Sequence, residues 1–97
     1  MRFEWHEQKA TTNRMKHGIS FEEAITAFDD PFALVAADPV HSTATEERRW
    51  LIGEADRGVL VVVFTVRQPG NIYRIISARR ANRVERGRYE ESKGIPV

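Results

Sequence analysis

Cysteine is absent from all 97 residues, which excludes both a disulfide framework and a zinc–thiolate site. Long apolar runs are missing too. The longest, VLVVVFTV, has eight residues including a threonine, far short of the about 20 that span a bilayer. The opening MRFEWHEQKA holds no apolar stretch of the kind an export signal needs. A cytoplasmic protein without membrane contact is the expectation. The three histidines are scattered and none lies four residues from another, so a helical metal-binding pair is unavailable. Neither metal nor cofactor is expected.

Against these absences stands a hydrophobic fraction of 41%, enough for one modest core. The length corresponds to a single domain over residues 1–97. The net charge of +1 conceals an asymmetry. Residues 1–66 carry seven Lys/Arg against eleven Asp/Glu, a net of −4, whereas residues 67–97 carry eight against three, a net of +5. Arg74, Arg79, Arg80, Arg83, Arg86 and Arg88 crowd into the end of that basic third. Such a cluster repels itself and calls for solvent, an acidic partner or a polyanion, and a local basic patch is the footprint of nucleic-acid binding.

Local pattern orders the chain as β-α-α-β-β-β-β-α. RFEW alternates apolar and charged residues as a short strand. A helix follows over 6–16, with Gly18 placed to end it in a left-handed conformation. Ser20 and Glu23 fit a capping box before a stripe of Phe21, Ala24, Ile25 and Phe28. Pro31 biases Asp30 away from helix and so stops it. FALVAA reads as a strand and DPVHSTATEE as a polar loop. RRWLIGEA, VLVVVFTV and IYRIISA then form a meander, with a tight turn at Gly58. VLVVVFTV is apolar on both faces and belongs at the centre. A last helix is predicted from about Arg80 to Ser92, with Gly94 and Pro96 ending it. The expected fold is α+β: an antiparallel sheet of four to five strands with helices packed mainly on one face.

Several separated motifs share one resemblance. They are W-x-x-x-K-x-x-x-N-x-x-K-H-G-x-x-F-E-E-A from Trp5 to Ala24, F-D-D-P from Phe28 to Pro31, and H-S-x-x-x-E-E-R from His41 to Arg48 with Ile52-Gly53 downstream. R-I-I-S-A-R-R-A follows from Arg74 to Ala81, and then Glu85, Arg86 and Tyr89. In this order the set resembles the BrnT family of type II toxins. The resemblance implies a RelE-like toxin fold and metal-independent endoribonuclease activity that arrests translation and growth. It also implies neutralisation by a BrnA-like ribbon-helix-helix antitoxin, whose complex with the toxin binds operon DNA. Two positions depart from the family pattern. His6 stands where an Asp would cap the first helix, a loss of about 1 kcal/mol. Val66 stands where many relatives carry an acid after the threonine that ends the central strand; if that acid is a general base, this chain lacks it. A non-catalytic nucleic-acid-binding or co-repressor subunit of the same kind of operon is the alternative reading.

Metal-free RNA cleavage uses the ribose 2′-OH against the adjacent phosphate, so alignment and charge stabilisation carry most of the acceleration. Arginine suits the second task because its planar fork grips two phosphate oxygens and stays charged. Arg79 and Arg80, where the last strand meets the helix, are the first candidates; the alternative is a basic face that docks on an acidic antitoxin. Arg74 alternates with Ile72 and Ile76, either shaping the site or pairing with a carboxylate. That alternation puts Tyr73 and Ser77 on the opposite face. His41, in the polar loop, is a candidate acid/base. Glu47 and Arg48 are either a catalytic carboxylate with its orienting cation or an ordinary salt bridge. Lys16, Arg83 and Arg86 are candidate RNA contacts. Tyr89 either stacks on a base or packs its ring on the sheet. Trp5, Trp50 and Phe64 read as core.

Overall fold

The computed structural model describes residues 1–94, so the expected terminator Pro96 lies outside the described residues. The elements follow the predicted order. They are β1 (Arg2–Glu4), α1 (Glu7–His17), α2 (Phe21–Thr26) with a 3-10 turn over Ala27–Asp29, β2 (Leu34–Ala37), β3 (Arg48–Ala55), β4 (Gly58–Arg67), β5 (Ile72–Arg80) and α3 (Arg83–Ser92). The sheet order is β1-β5-β4-β3-β2, which places the doubly apolar β4 in the middle as expected.

One expectation needs correction: the sheet is mixed. Strands β2 to β5 are antiparallel, but β1 runs parallel to β5 with Phe3 opposite Tyr73. The cause is aromatic packing rather than turn chemistry. Phe3 meets Phe28 at 5.0 Å and Tyr73 at 5.9 Å between ring centroids, in edge-to-face contacts. Phe28 continues to Phe64 at 5.0 Å, so the first strand is drawn onto the β5 edge.

The two faces of the sheet bury different clusters. Leu51, Leu60, Val62, Phe64, Ile75 and Ala78 pack under α1 and α2 against Ile19, Phe21, Ala24 and Ala27. Burying a side chain such as Phe21 completely contributes about 1.5–3 kcal/mol. Ile52, Val61, Ala81 and Tyr89 form a smaller cluster on the opposite face, where α3 packs. Helix α1 ends at Gly18 in the left-handed region, with φ 72°. Helix α2 starts on Ser20, whose hydroxyl accepts from the Glu23 amide at 3.0 Å. The return half of that capping box is replaced: the Glu23 carboxylate is taken by Arg57 at 2.7 Å. Gly53 is required by close approach, since a Cβ there would stand 2.7 Å from the Ala27 carbonyl oxygen.

Asn13 is 6% exposed and replaces a strand where β1 stops. Its side-chain amide donates to the Ala78 carbonyl at 2.9 Å and accepts from the Ala78 N–H at 3.1 Å. It also donates to the Ile19 carbonyl at 3.0 Å. One side chain thus ties α1, its C-terminal turn and β5 together.

Candidate functional site

Cross-strand register decides which side chains share the face opposite α1 and α2. Directly paired residues point the same way. Arg48, Thr65 and Arg74 form one row, Trp50, Val63 and Ser77 the next, and Ile52, Val61 and Arg79 a third. In a regular strand, Arg74 and Arg79 would point to opposite faces because five residues separate them. A register shift between Val63 and Phe64 reverses this by leaving Ile76 as an extra residue on β5. The bulge therefore brings Arg79 and Ser77 onto the Arg74 face and sends Arg80 to the other. The expected grouping of Ser77 with Tyr73 is corrected for the same reason: Tyr73 packs at the margin of the main core, whereas Ser77 lines the open face.

On that face lies a groove of about 500 Å³, bordered by Asp38, His41, Arg48, Arg79, Glu85 and Arg88, with Trp50, Ile52, Val61, Val63 and Ile76 along its floor. Arg79 is anchored. Its Nη1 and Nη2 each donate to one oxygen of Glu85 at 2.8 Å, and Nη1 also donates to the Arg80 carbonyl at 3.3 Å. The side chain remains 43% exposed. Its Nε–H and the outer Nη2 hydrogen form a second fork that takes no protein partner among the described residues, and a phosphate can fill it. The Glu85 hydrogen bond raises the already high pKa of Arg79 against the opposing effect of burial. Glu85 itself is held below the ordinary carboxylate value by the Arg79 hydrogen bond, with burial opposing and the Asn82 amide assisting. Glu85 also completes a capping box with Asn82 at the start of α3, so the helix start and the arginine share one carboxylate.

Across the groove, His41 Nδ1 lies 2.8 Å from Asp38 Oδ2. The Asp38 pKa is lowered, chiefly by the His41 side-chain hydrogen bond, and an ionised carboxylate only accepts. Nδ1 therefore carries the hydrogen, and the lone pair of the neutral ring sits on Nε2. Ser42 ties this loop to β3: its hydroxyl donates to the Asp38 carbonyl at 2.6 Å and accepts from the Arg48 N–H at 2.9 Å. Asp38 closes the loop through its own N–H to the Arg48 carbonyl at 2.8 Å. The Arg48 side chain is oriented by Glu46 at 3.1 Å.

Other candidates fall elsewhere. Arg74 is 28% exposed, 3.7 Å from Glu4, in an adjoining hollow of about 680 Å³ that also takes Lys9, Glu47, Arg48 and Ile76. Glu47 is 62% exposed and paired with Arg49 at 3.1 Å; it does not border the His41 groove. Arg80 donates to the Arg57 carbonyl at 2.9 Å and, paired with Leu60 on the helix-covered face, does not share the groove with Arg79. Arg83 and Arg86 are exposed on α3, outside the groove lining, and Arg86 donates to the Ala81 carbonyl at 3.1 Å. Lys16 lines a further hollow along α1, not the Arg79 groove.

Tyr89 is not available to stack on a base, because it is 2% exposed and its hydroxyl donates to Asp30. Burial, and then that contact, push its pKa well up. The packing alternative for this ring is the observed one. Trp50, read as core, is half-buried and forms groove floor. Val66 packs at the margin of the main core beside Tyr73. Asp38 was not singled out from sequence, and Arg88 and Ser42 figured only within the basic cluster and the H-S motif, without a site role; the Asp38-Pro-Val-His41 spacing, a turn that an aspartate side chain favours, was the available signal.

A family model described as ribonuclease toxin, BrnT, of type II toxin-antitoxin system matches residues 5–85. No curated protein matches the chain.

Proposed function

The chain belongs to the BrnT family of ribonuclease toxins of type II toxin-antitoxin systems, and from that premise we propose that it cuts RNA without a metal ion, in the groove between Arg79 and His41. The observation that carries this reading is the bulge in β5, which sets an oriented arginine fork opposite an Asp38–His41 pair. His41 Nε2 takes the 2′-OH proton, O2′ forms a bond to the adjacent phosphorus, and the P–O5′ bond breaks. The products are a 2′,3′-cyclic phosphate and a 5′-hydroxyl, whose oxygen takes its proton from solvent.

Arg79, with Arg48 and Arg88 at the groove margin, meets the charge that develops on the phosphate. Each such preorganised donor is worth about 10²–10³ in rate, and a positioned base about 10²–10⁴. The apolar floor accepts a base face.

Membership of a type II system means an antitoxin partner. We assign that partner as a BrnA-like ribbon-helix-helix protein. The heteromeric complex binds DNA through the antitoxin, and the toxin acts in the cytoplasm. Among the described residues no helix is long and apolar enough to cross a membrane.

The alternative, a non-catalytic nucleic-acid-binding or co-repressor subunit, draws on Val66 in place of an acid. Expressing the chain alone separates the two. Growth arrest that Arg79→Ala and His41→Ala each relieve, with folding intact, fits the nuclease. Normal growth with retained RNA binding fits the alternative.

A further inference from the structure

The groove does not end at β5. A third hollow, about 440 Å³, runs between the outer flank of α1 and β5 and is lined by Lys9, Lys16, His6 and His17 together with Ile76 and Ser77. Ile76 and Ser77 also line the Arg79 groove. Lys9 and Ile76 line the Arg74 hollow as well. The three hollows thus meet on the extra residue that the bulge inserts, and each carries cations. Lys9 and Lys16 are both exposed and stand seven residues apart on α1, which is two turns and about 10 Å along one flank. Neither takes a carboxylate partner among the described residues, whereas Arg48, Arg74 and Arg79 each do.

From this continuity we infer that Lys9 and Lys16 form a second phosphate subsite, and that the substrate is an extended single strand crossing β5 over Ile76 and Ser77, from the Arg79 groove to α1. The inference rests on the ribonucleotide reading of the groove. Two features favour a single strand. In-line attack by a 2′-OH needs a nucleotide splayed out of a helix, and the apolar floor takes base faces that a duplex hides. Lysine suits a remote subsite, because a mobile point charge follows a backbone without demanding one phosphate orientation.

The test is the salt dependence of binding, read by fluorescence anisotropy with a 2′-O-methyl octanucleotide that cannot be cut. Each phosphate contact on a single strand contributes a slope of about −0.7 in log K against log salt. The Lys9→Gln/Lys16→Gln double variant should therefore show a slope shallower than wild type by about 1.4. An unchanged slope, with the helix intact by circular dichroism, overturns the subsite. Cleavage of a ribodinucleotide by the wild-type chain is measured alongside. Cleavage with no slope difference removes the track and keeps the nuclease groove. A slope difference without cleavage supports the track and removes the nuclease reading. A duplex of the same sequence that binds as tightly as the single strand contradicts the substrate class.

Discussion

Replacing Glu85 by glutamine separates an arginine that is held for chemistry from one that is merely paired. Glu85 Oε1 accepts from Arg79 Nη1 at 2.8 Å and from the Asn82 N–H at 2.9 Å, while Oε2 accepts from Arg79 Nη2 at 2.8 Å. A glutamine keeps the carbonyl oxygen for the Asn82 amide, since glutamine also serves a capping box. Its NH₂ then confronts Arg79 Nη2, donor against donor, and the guanidinium has to turn. Because Arg79 is 43% exposed and Glu85 21%, water recovers much of the lost pairing, and the stability cost is about 1 kcal/mol. For a domain of this size that lowers Tm by about 4–8 °C.

The cost depends on pH with a definite sign. The folded pKa of Glu85 is depressed below its ordinary 4.5, so its stabilisation is complete above 4.5 and lost as pH falls through the folded value. The gap between wild type and variant closes in that acidic window. Cleavage should fall about 10–100-fold at neutral pH, because a fork displaced by roughly an ångström no longer meets the transition state. Arg79→Lys should fall comparably while melting near wild type, since lysine offers no fork. Thermal melts and single-turnover cleavage of a short RNA give both readings. A Glu85→Gln protein with lowered Tm and wild-type cleavage refutes the positioning argument and leaves Arg79 an ordinary surface pair.

Other substitutions test separate parts of the account. Asn13→Ala leaves the Ala78 N–H and carbonyl unpaired in a buried site and should cost about 2–3 kcal/mol; a Tm within about 2 °C of wild type contradicts the strand-replacement role. Tyr89→Phe removes the hydrogen bond to Asp30 and should cost about 1–2 kcal/mol with cleavage unchanged, whereas a lost rate with normal stability would return Tyr89 to the site. Burial raises the Asp30 pKa, but the Tyr89 hydroxyl and the Glu54 and Phe32 amides lower it further, so the net shift is down. The Tyr89→Phe penalty is therefore full above the ordinary Asp value of 3.8 and fades as pH drops through the folded one. Asp38→Asn replaces with an NH₂ one of the two oxygens that accept from the His41 backbone and ring and should slow cleavage about tenfold or more, and equal rates would exclude Asp38 as the residue that orients His41.

What could be read from sequence was local. Strand β3 falls on RRWLIGEA, Gly18 is left-handed and Ser20 caps, because each depends on residues within a turn of itself. The parallel β1–β5 pair was not legible, since Phe3 finds Phe28 and Tyr73 only in three dimensions. The bulge was the decisive omission. Alternation along IYRIISARR assigns faces correctly as far as Arg74 and wrongly from Ser77 onward, and it sets Arg80 on the Arg74 face where the structure puts Arg79. The Arg79–Glu85 pair was also hidden, because its six-residue separation spans the turn between strand and helix and matches no helical or strand period. Motif content found the family, and register found which arginine faces the groove.

The most direct test of the central claim is end-group analysis of RNA cut by the purified chain in excess chelator. The account predicts fragments ending in a 2′,3′-cyclic phosphate and beginning with a 5′-hydroxyl, and no scission at a nucleotide whose 2′-OH is replaced by hydrogen. Cleavage that requires an added divalent ion, or that leaves a 3′-hydroxyl and a 5′-phosphate, contradicts it.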